Sequence, residues 1–142
     1  MPAFSDRSRA RLATCHPLII KVFTEAIVHG PDFTIICGER PVREQQELFA
    51  QGRTKPGSIV TNVDGITKLS KHNKSPSEAV DVAPYPSLYE DIPRFKILGA
   101  YIMGVAHAMD VPLVWGADWD SDWDLAEHEH VFVDLPHFEL RL

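Results

Sequence analysis

The sequence predicts an α+β domain in which helices pack on a small, mainly antiparallel sheet. Three observations predict it. Apolar residues recur at three- and four-residue spacing near the start and in the middle of the chain, the β-rich runs are short, and the order of elements is not the βαβα alternation of a doubly wound parallel sheet. With 142 residues there is room for one core, so a single domain over 1–142 is expected.

Leu12, Cys15, Ile19, Val22, Phe23, Ala26 and Ile27 share one face of a first helix. Ser5 or Ser8 is placed to cap it, and Gly30 before Pro31 stops it. Pro17, which has no N–H to give, should kink or restart it. Residues 33–37 read as a core strand. Pro41 opens a second helix that ends at Gly52. Residues 59–63 and 66–69 flank Asp64-Gly65, a dipeptide favoured in two-residue hairpin turns, so a hairpin is expected there. Residues 79–82 read as a buried strand. Phe95, Leu98, Ile102, Val105 and Met109 define a third helix over 92–109. Residues 113–115, 131–133 and 138–142 are further strand candidates.

Composition excludes several function classes. Fourteen Lys and Arg against twenty Asp and Glu give a net charge of −6, which disfavours a general nucleic-acid binder. No apolar run approaches the roughly 20 residues that span a bilayer, and no apolar segment follows the N-terminal arginines as in a secretory signal. Cys15 and Cys37 lack CxxC spacing and are expected as free thiols rather than a disulfide framework.

The chemistry concentrates in two polar interruptions of apolar segments. His72 ends the expected hairpin, and Asp81 sits inside Ala79-Val80-Asp81-Val82-Ala83, where a carboxylate is costly unless paired or bound to a metal. His137 lies in Asp134-Leu135-Pro136-His137-Phe138-Glu139. Two imidazoles and one carboxylate make a three-ligand zinc set with an open position. On these residues alone the alternative stands equally: Asp81 paired with a lysine, and two histidines satisfied in loops.

The strings SKHN and SEAVDVAPYP, the late VDLPHFEL, the middle CGERPVREQQELFAQGRTKPG and the WGADWD segment resemble the bacteriophage endolysin-type L-alanyl-D-glutamate peptidases. These zinc enzymes are related to D-Ala-D-Ala carboxypeptidases and the hedgehog domain. The resemblance runs from the first helix to the C-terminus. It implies zinc on His72, Asp81 and His137, Asp134 as general base and then acid, and Arg40 as the cation for the oxyanion, with Arg43 the competing arginine. Asp at position 134, where the carboxypeptidases use Glu, fits the endopeptidase branch. Three features depart from the family. Eight residues separate His72 from Asp81, more than is common there, and the usual glycine of that stretch is missing. Glu39 beside Arg40 is also unusual, and is placed to pair with it.

The implied protein is a monomeric hydrolase of peptidoglycan with no separate wall-binding domain. It would be made in the host bacterial cytoplasm without a signal peptide and act on the wall after release. The rival readings are a D-Ala-D-Ala carboxypeptidase on the same scaffold and a non-catalytic, zinc-stabilised binding module. Ser70 is a candidate to touch substrate or orient His72. Arg53, Lys55, Lys68, Lys71 and Lys74 against Asp64 alone make a local +4 suited to an anionic substrate. Tyr85, Trp115 and Trp119 are candidates to line a cleft or to pack the core.

From Asp118 to Asp134 there are seven acids and no Lys or Arg. Asp118, Asp120 and Asp122 recur every second residue, as in an EF-hand loop, but Trp123 replaces the turn glycine, so a looser calcium loop is the expectation. His128-Glu129-His130 is a weaker transition-metal candidate. His16, His29 and His107 read as structural.

Overall fold

Ser5 accepts a hydrogen bond from the Ser8 amide and starts the first helix, and Pro17 divides the long periodic segment in two. In the computed structural model, which describes residues 2–125 and 133–142, these pieces are α1 (Asp6–Leu12) and α2 (Pro17–His29). Pro17 occupies the first turn of α2, where no N–H is needed, and His16 Nδ1 accepts from the Leu18 amide at 3.1 Å. The chain continues as β1 (Phe33–Cys37), α3 (Val42–Ala50), a 3-10 turn (Lys71–Asn73), β2 (Ala79–Pro84), α4 (Ile92–Ala108), β3 (Leu113–Trp115) and β4 (His137–Leu140). The strands form one sheet in the order β1-β2-β4-β3, each neighbouring pair antiparallel. The fold is α+β. Among the described residues no helix is long and apolar enough to cross a membrane.

Strand alternation divides the sheet into two faces. Phe33, Ile35, Val80, Val82, Trp115, Phe138 and Leu140 join the core with residues of α2 and α4. Phe138 anchors it, edge-on to Phe23 at 5.6 Å and stacked on Trp115 at 6.1 Å. The other face carries Asp81, His137 and Glu139, because Asp81 pairs in register with His137, Val80 with Phe138 and Ala79 with Glu139. In β1 the register shifts between Ile35 and Cys37. This bulge breaks the alternation, so Ile35 packs in the core while Cys37 pairs with Asp81 and shares its face.

The hairpin expected over 59–69 is not a pair of strands. Gly65 takes φ +75° and its amide bonds the Lys68 carbonyl at 3.0 Å, so the turn exists. The Asp64 carboxylate, however, accepts the amides of Ile66, Thr67 and Lys68 at 2.8, 2.9 and 3.2 Å, committing locally the donors a ladder would use. Ile59, Val60, Ile66 and Leu69 are exposed, leaving no buried face to set a strand register. Of the strand expected at 131–133, residues 131 and 132 lie outside the described residues, and Val133 is in no strand. The last strand starts at His137 and ends at Leu140.

Candidate metal centre and cleft

His72 arrives on the 3-10 turn. Ser70 caps that turn by accepting from the His72 amide at 3.2 Å, and Asn73 Oδ1 returns a contact to the Ser70 amide at 2.9 Å. The turn is tied to the end of β1: the Arg40 amide donates to the His72 carbonyl at 2.6 Å, and Asn73 Nδ2 donates to the Arg40 carbonyl at 2.8 Å. His72 is 2% exposed. Its Nδ1–H donates to the Gly38 carbonyl at 2.7 Å, which turns Nε2 toward the open face of the sheet.

There Nε2 of His72, Nδ1 of His137 and Oδ1 of Asp81 form a triangle with sides of 3.2, 3.2 and 3.3 Å. Donors about 2.0–2.1 Å from a zinc ion at tetrahedral angles stand about 3.3 Å apart, so the three groups match a tetrahedral site with a fourth position open. The nitrogens not facing the triangle have acceptors of their own, the Gly38 carbonyl for His72 and Glu139 Oε1, at 2.9 Å, for His137. The donor set fits zinc.

As protein groups alone the two histidines hold protons tightly and Asp81 does not. Burial would lower the His72 imidazolium, but hydrogen bonds to Asp81 and Cys37 outweigh it and raise the pKa to about 10. Burial opposes charge on His137 too, and bonds to Asp81 and Glu139 raise it to about 9. Asp81 stays well below the usual carboxylate range, since the two histidines outweigh the cost of burying its charge. Asp134 behaves oppositely. Burial first, and the charge of Asp81 second, push its carboxyl up. It lines the same cleft as the triangle.

Arg40 also faces this cleft. Its Nη1 donates to Gln45 Oε1 at 2.8 Å and its Nη2 approaches Asp81 Oδ2 at 3.4 Å and Cys37 Sγ at 3.7 Å. Its Nε is buried with no hydrogen-bond partner among the described residues. Glu39 does not pair with it; it is exposed, with Oε2 3.4 Å from the Ser75 hydroxyl. Arg43 is exposed on α3 and does not line the cleft. Three residues of the site had no role in the sequence reading. Gln45 is fully buried and also donates to Thr61 and Val63, holding the 61–63 loop as well as Arg40. Cys37 has its sulfur in one group with donor atoms of His72 and Asp81, all within 4.8 Å of one another. Glu139 is the third, and its signal was present: in a strand, residues two apart share a face, so His137-Phe138-Glu139 places the carboxylate beside the imidazole.

The cleft has a volume of ≈ 1090 Å³. Ser70, Lys68, Lys71 and Lys74 lie along it, whereas Arg53 and Lys55 do not. Of the aromatic candidates, Trp119 lines the cleft with its ring 5.6 Å from that of His137. Trp115 is core, Tyr85 is exposed outside the cleft, and Tyr89 lines it instead. The acidic loop brings carboxylate oxygens of Asp118, Asp120 and Asp122 within 4.8 Å of one another. Asp118 is 6% exposed and accepts the amides of Asp122 and Trp123 at 3.2 and 3.1 Å. Its pKa is raised, by burial first and then by Asp120 and Asp122. His128, Glu129 and His130 lie outside the described residues.

A family model described as phage L-alanyl-D-glutamate peptidase matches residues 2–141. The chain belongs to this family. The fold is shared with the crystal structure of Serratia marcescens L-Ala D-Glu endopeptidase ChiX, at TM-score 0.70 and 20% identity over 99% of this chain and 91% of that one. A further relative is the peptidoglycan L-alanyl-D-glutamate endopeptidase CwlK of Bacillus subtilis strain 168, 28% identical over 115 residues, 78% of this chain. The aligned part spans 62% of CwlK.

Proposed function

We propose that this family member is a zinc-dependent, endolysin-like peptidoglycan endopeptidase that hydrolyses the L-Ala–D-Glu bond of stem peptides. The observation that carries the proposal is the His72–Asp81–His137 triangle of zinc dimensions, with the half-buried Asp134 lining the same cleft. The names of the family and of both relatives point to the same bond.

His72 Nε2, His137 Nδ1 and Asp81 Oδ1 would hold the ion. Zinc supplies Lewis-acid polarisation of a carbonyl and lowers the pKa of a water to about 7. The protein's own groups do the rest. Asp134, whose carboxyl is shifted up, takes the proton of the attacking water on a carboxylate oxygen and passes it to the leaving amine. Arg40 is fixed by Gln45 and Asp81 and places a fixed positive charge beside the reacting carbonyl, where negative charge develops. Ser70 acts through His72, whose turn it caps. Lys68, Lys71 and Lys74 along the cleft favour an anionic substrate. We also propose calcium for Asp118, Asp120 and Asp122, on the approach of their carboxylates and the oxygen preference of that ion. Calcium titration followed by tryptophan fluorescence from Trp119 and Trp123 checks this, and no response at millimolar calcium would remove it.

Digestion of peptidoglycan with and without a chelator, followed by mass spectrometry, tests the main reading. New N-terminal D-glutamate, lost with the chelator, is expected. Free D-alanine would instead assign the carboxypeptidase reaction. No fragment at all from zinc-loaded protein would leave the binding-module reading.

A further inference from the structure

Glu139 is engaged on both oxygens. Oε1 accepts from His137 Nε2 at 2.9 Å, and Oε2 lies 3.8 Å from the ammonium of Lys71. Lys71 also donates to the Leu140 carbonyl and directly precedes His72 in the chain. The backbone repeats the connection: the Glu78 amide bonds the Lys71 carbonyl at 3.0 Å, and the Leu140 amide bonds the Glu78 carbonyl at 2.8 Å. The 3-10 turn bearing one histidine and the strand bearing the other are therefore tied along one edge.

The contact with His137 does more than tie. An imidazole turned by 180° about its Cβ–Cγ bond exchanges Nδ1 for a ring carbon, so His137 offers a nitrogen to the triangle in only one of its two orientations. In that orientation Nε2–H meets a carboxylate; in the other, a carbon-bound hydrogen would. A half-buried carboxylate that loses its donor is left less well satisfied, so the pair of orientations is biased toward the one that keeps the Nε2–H contact. Because Nε2 keeps its proton for Glu139, the lone pair stays on Nδ1.

Resting on the zinc reading above, we infer that Glu139 is a positioning residue for the metal centre. It selects the orientation and tautomer of His137, and Lys71 anchors it, so that the two histidines are set as one unit.

Zinc affinity of the full-length protein, measured by chelator competition, tests this without reference to peptide cleavage. Glu139→Ala should weaken zinc binding about 10- to 100-fold. Glu139→Gln keeps an oxygen that can accept the Nε2–H and should recover most of the affinity, staying within about tenfold of wild type. Lys71→Met should weaken binding in the same direction by a smaller factor. NMR of the imidazole nitrogens in zinc-loaded wild type should show His137 protonated at Nε2, a readout that stands even if the alanine variant does not fold. Wild-type affinity in Glu139→Ala with only a lowered melting temperature, or a His137 proton on Nδ1, would overturn the inference and leave the zinc reading intact. A wild-type chain that takes up no zinc would overturn both, and zinc uptake without cleavage would overturn the peptidase reading alone.

Discussion

His72 and His137 share one carboxylate, and that sharing would make metal uptake a proton exchange. With pKa values of about 10 and about 9, both rings are protonated at neutral pH until an ion displaces the protons. Calorimetry of zinc binding in buffers of different ionisation enthalpy should show proton release at pH 7, and apparent affinity should climb with pH up to that range. The metal-free protein should respond in the opposite sense. Both histidine pKa values lie above the ordinary 6.5, so their stabilisation is complete below about pH 6.5 and is lost as pH rises through 9 and 10. Asp81 is depressed, so its share holds above its ordinary 3.8 and is lost on acidification below it. Melting temperatures of metal-free protein across this range check both limbs. Asp134→Asn should lower kcat by about 10²- to 10⁴-fold with zinc content and melting temperature near wild type. Activity surviving that change would take the base role away from Asp134. Asp81, His137 and Asp134 stand out in the sequence because each interrupts an apolar context, whereas His72 lies in a polar stretch at the end of the expected hairpin. The base role of Asp134 comes from the family resemblance. Gln45 was not, since a glutamine on a polar helix gives no sign that it is fully buried.

Elements set these residues through backbone contacts that sequence periodicity only partly reveals. Three helical segments, with the break at Pro17, and short strands at 33–37, 79–82, 113–115 and 138–142 follow from apolar spacing, proline and glycine. Among the described residues the break separates α1 from α2, β2 runs on to Pro84, and the last strand is His137–Leu140. The bulge between Ile35 and Cys37 did not, because an extra residue in a strand leaves no mark in composition, yet it turns Cys37 toward Asp81. The absent 59–69 hairpin has the converse cause: its turn signal was real, but a side chain captured the amides. Gly116 shows how tightly the site is built. The Asp134 amide bonds the Gly116 carbonyl at 2.8 Å and the Gly116 amide bonds the His137 carbonyl at 2.7 Å. A Cβ at Gly116 would lie 2.2 Å from the Asp134 carbonyl oxygen, which is backbone and cannot swing away. Gly116→Ala should therefore cost about 1–3 kcal/mol of stability and lower kcat more than zinc affinity. Equal losses in zinc binding and kcat would show that Asp134 is not what the glycine protects.

At the scale of the molecule, core and cleft occupy opposite faces of one thin sheet, so the site is supported from behind by Phe138 and its neighbours. The cations along the cleft differ in their freedom. Lys71 faces Glu139 and Lys74 faces Glu78 at 3.6 Å, whereas the ammonium of Lys68 has no carboxylate partner among the described residues. Lys68→Ala should raise KM for peptidoglycan fragments several-fold with kcat little changed, and added salt should shrink the difference. An unchanged KM would remove Lys68 from substrate attraction. The triangle has one more consequence. Its corners come from a short turn and two adjacent strands, and its two histidines are 65 positions apart in the chain. An ion seated there acts as a reversible crosslink that closes a long loop, much as a disulfide would but removable by a chelator. Stripping it should loosen the 53–78 segment before the sheet, and limited proteolysis would find its first cuts there.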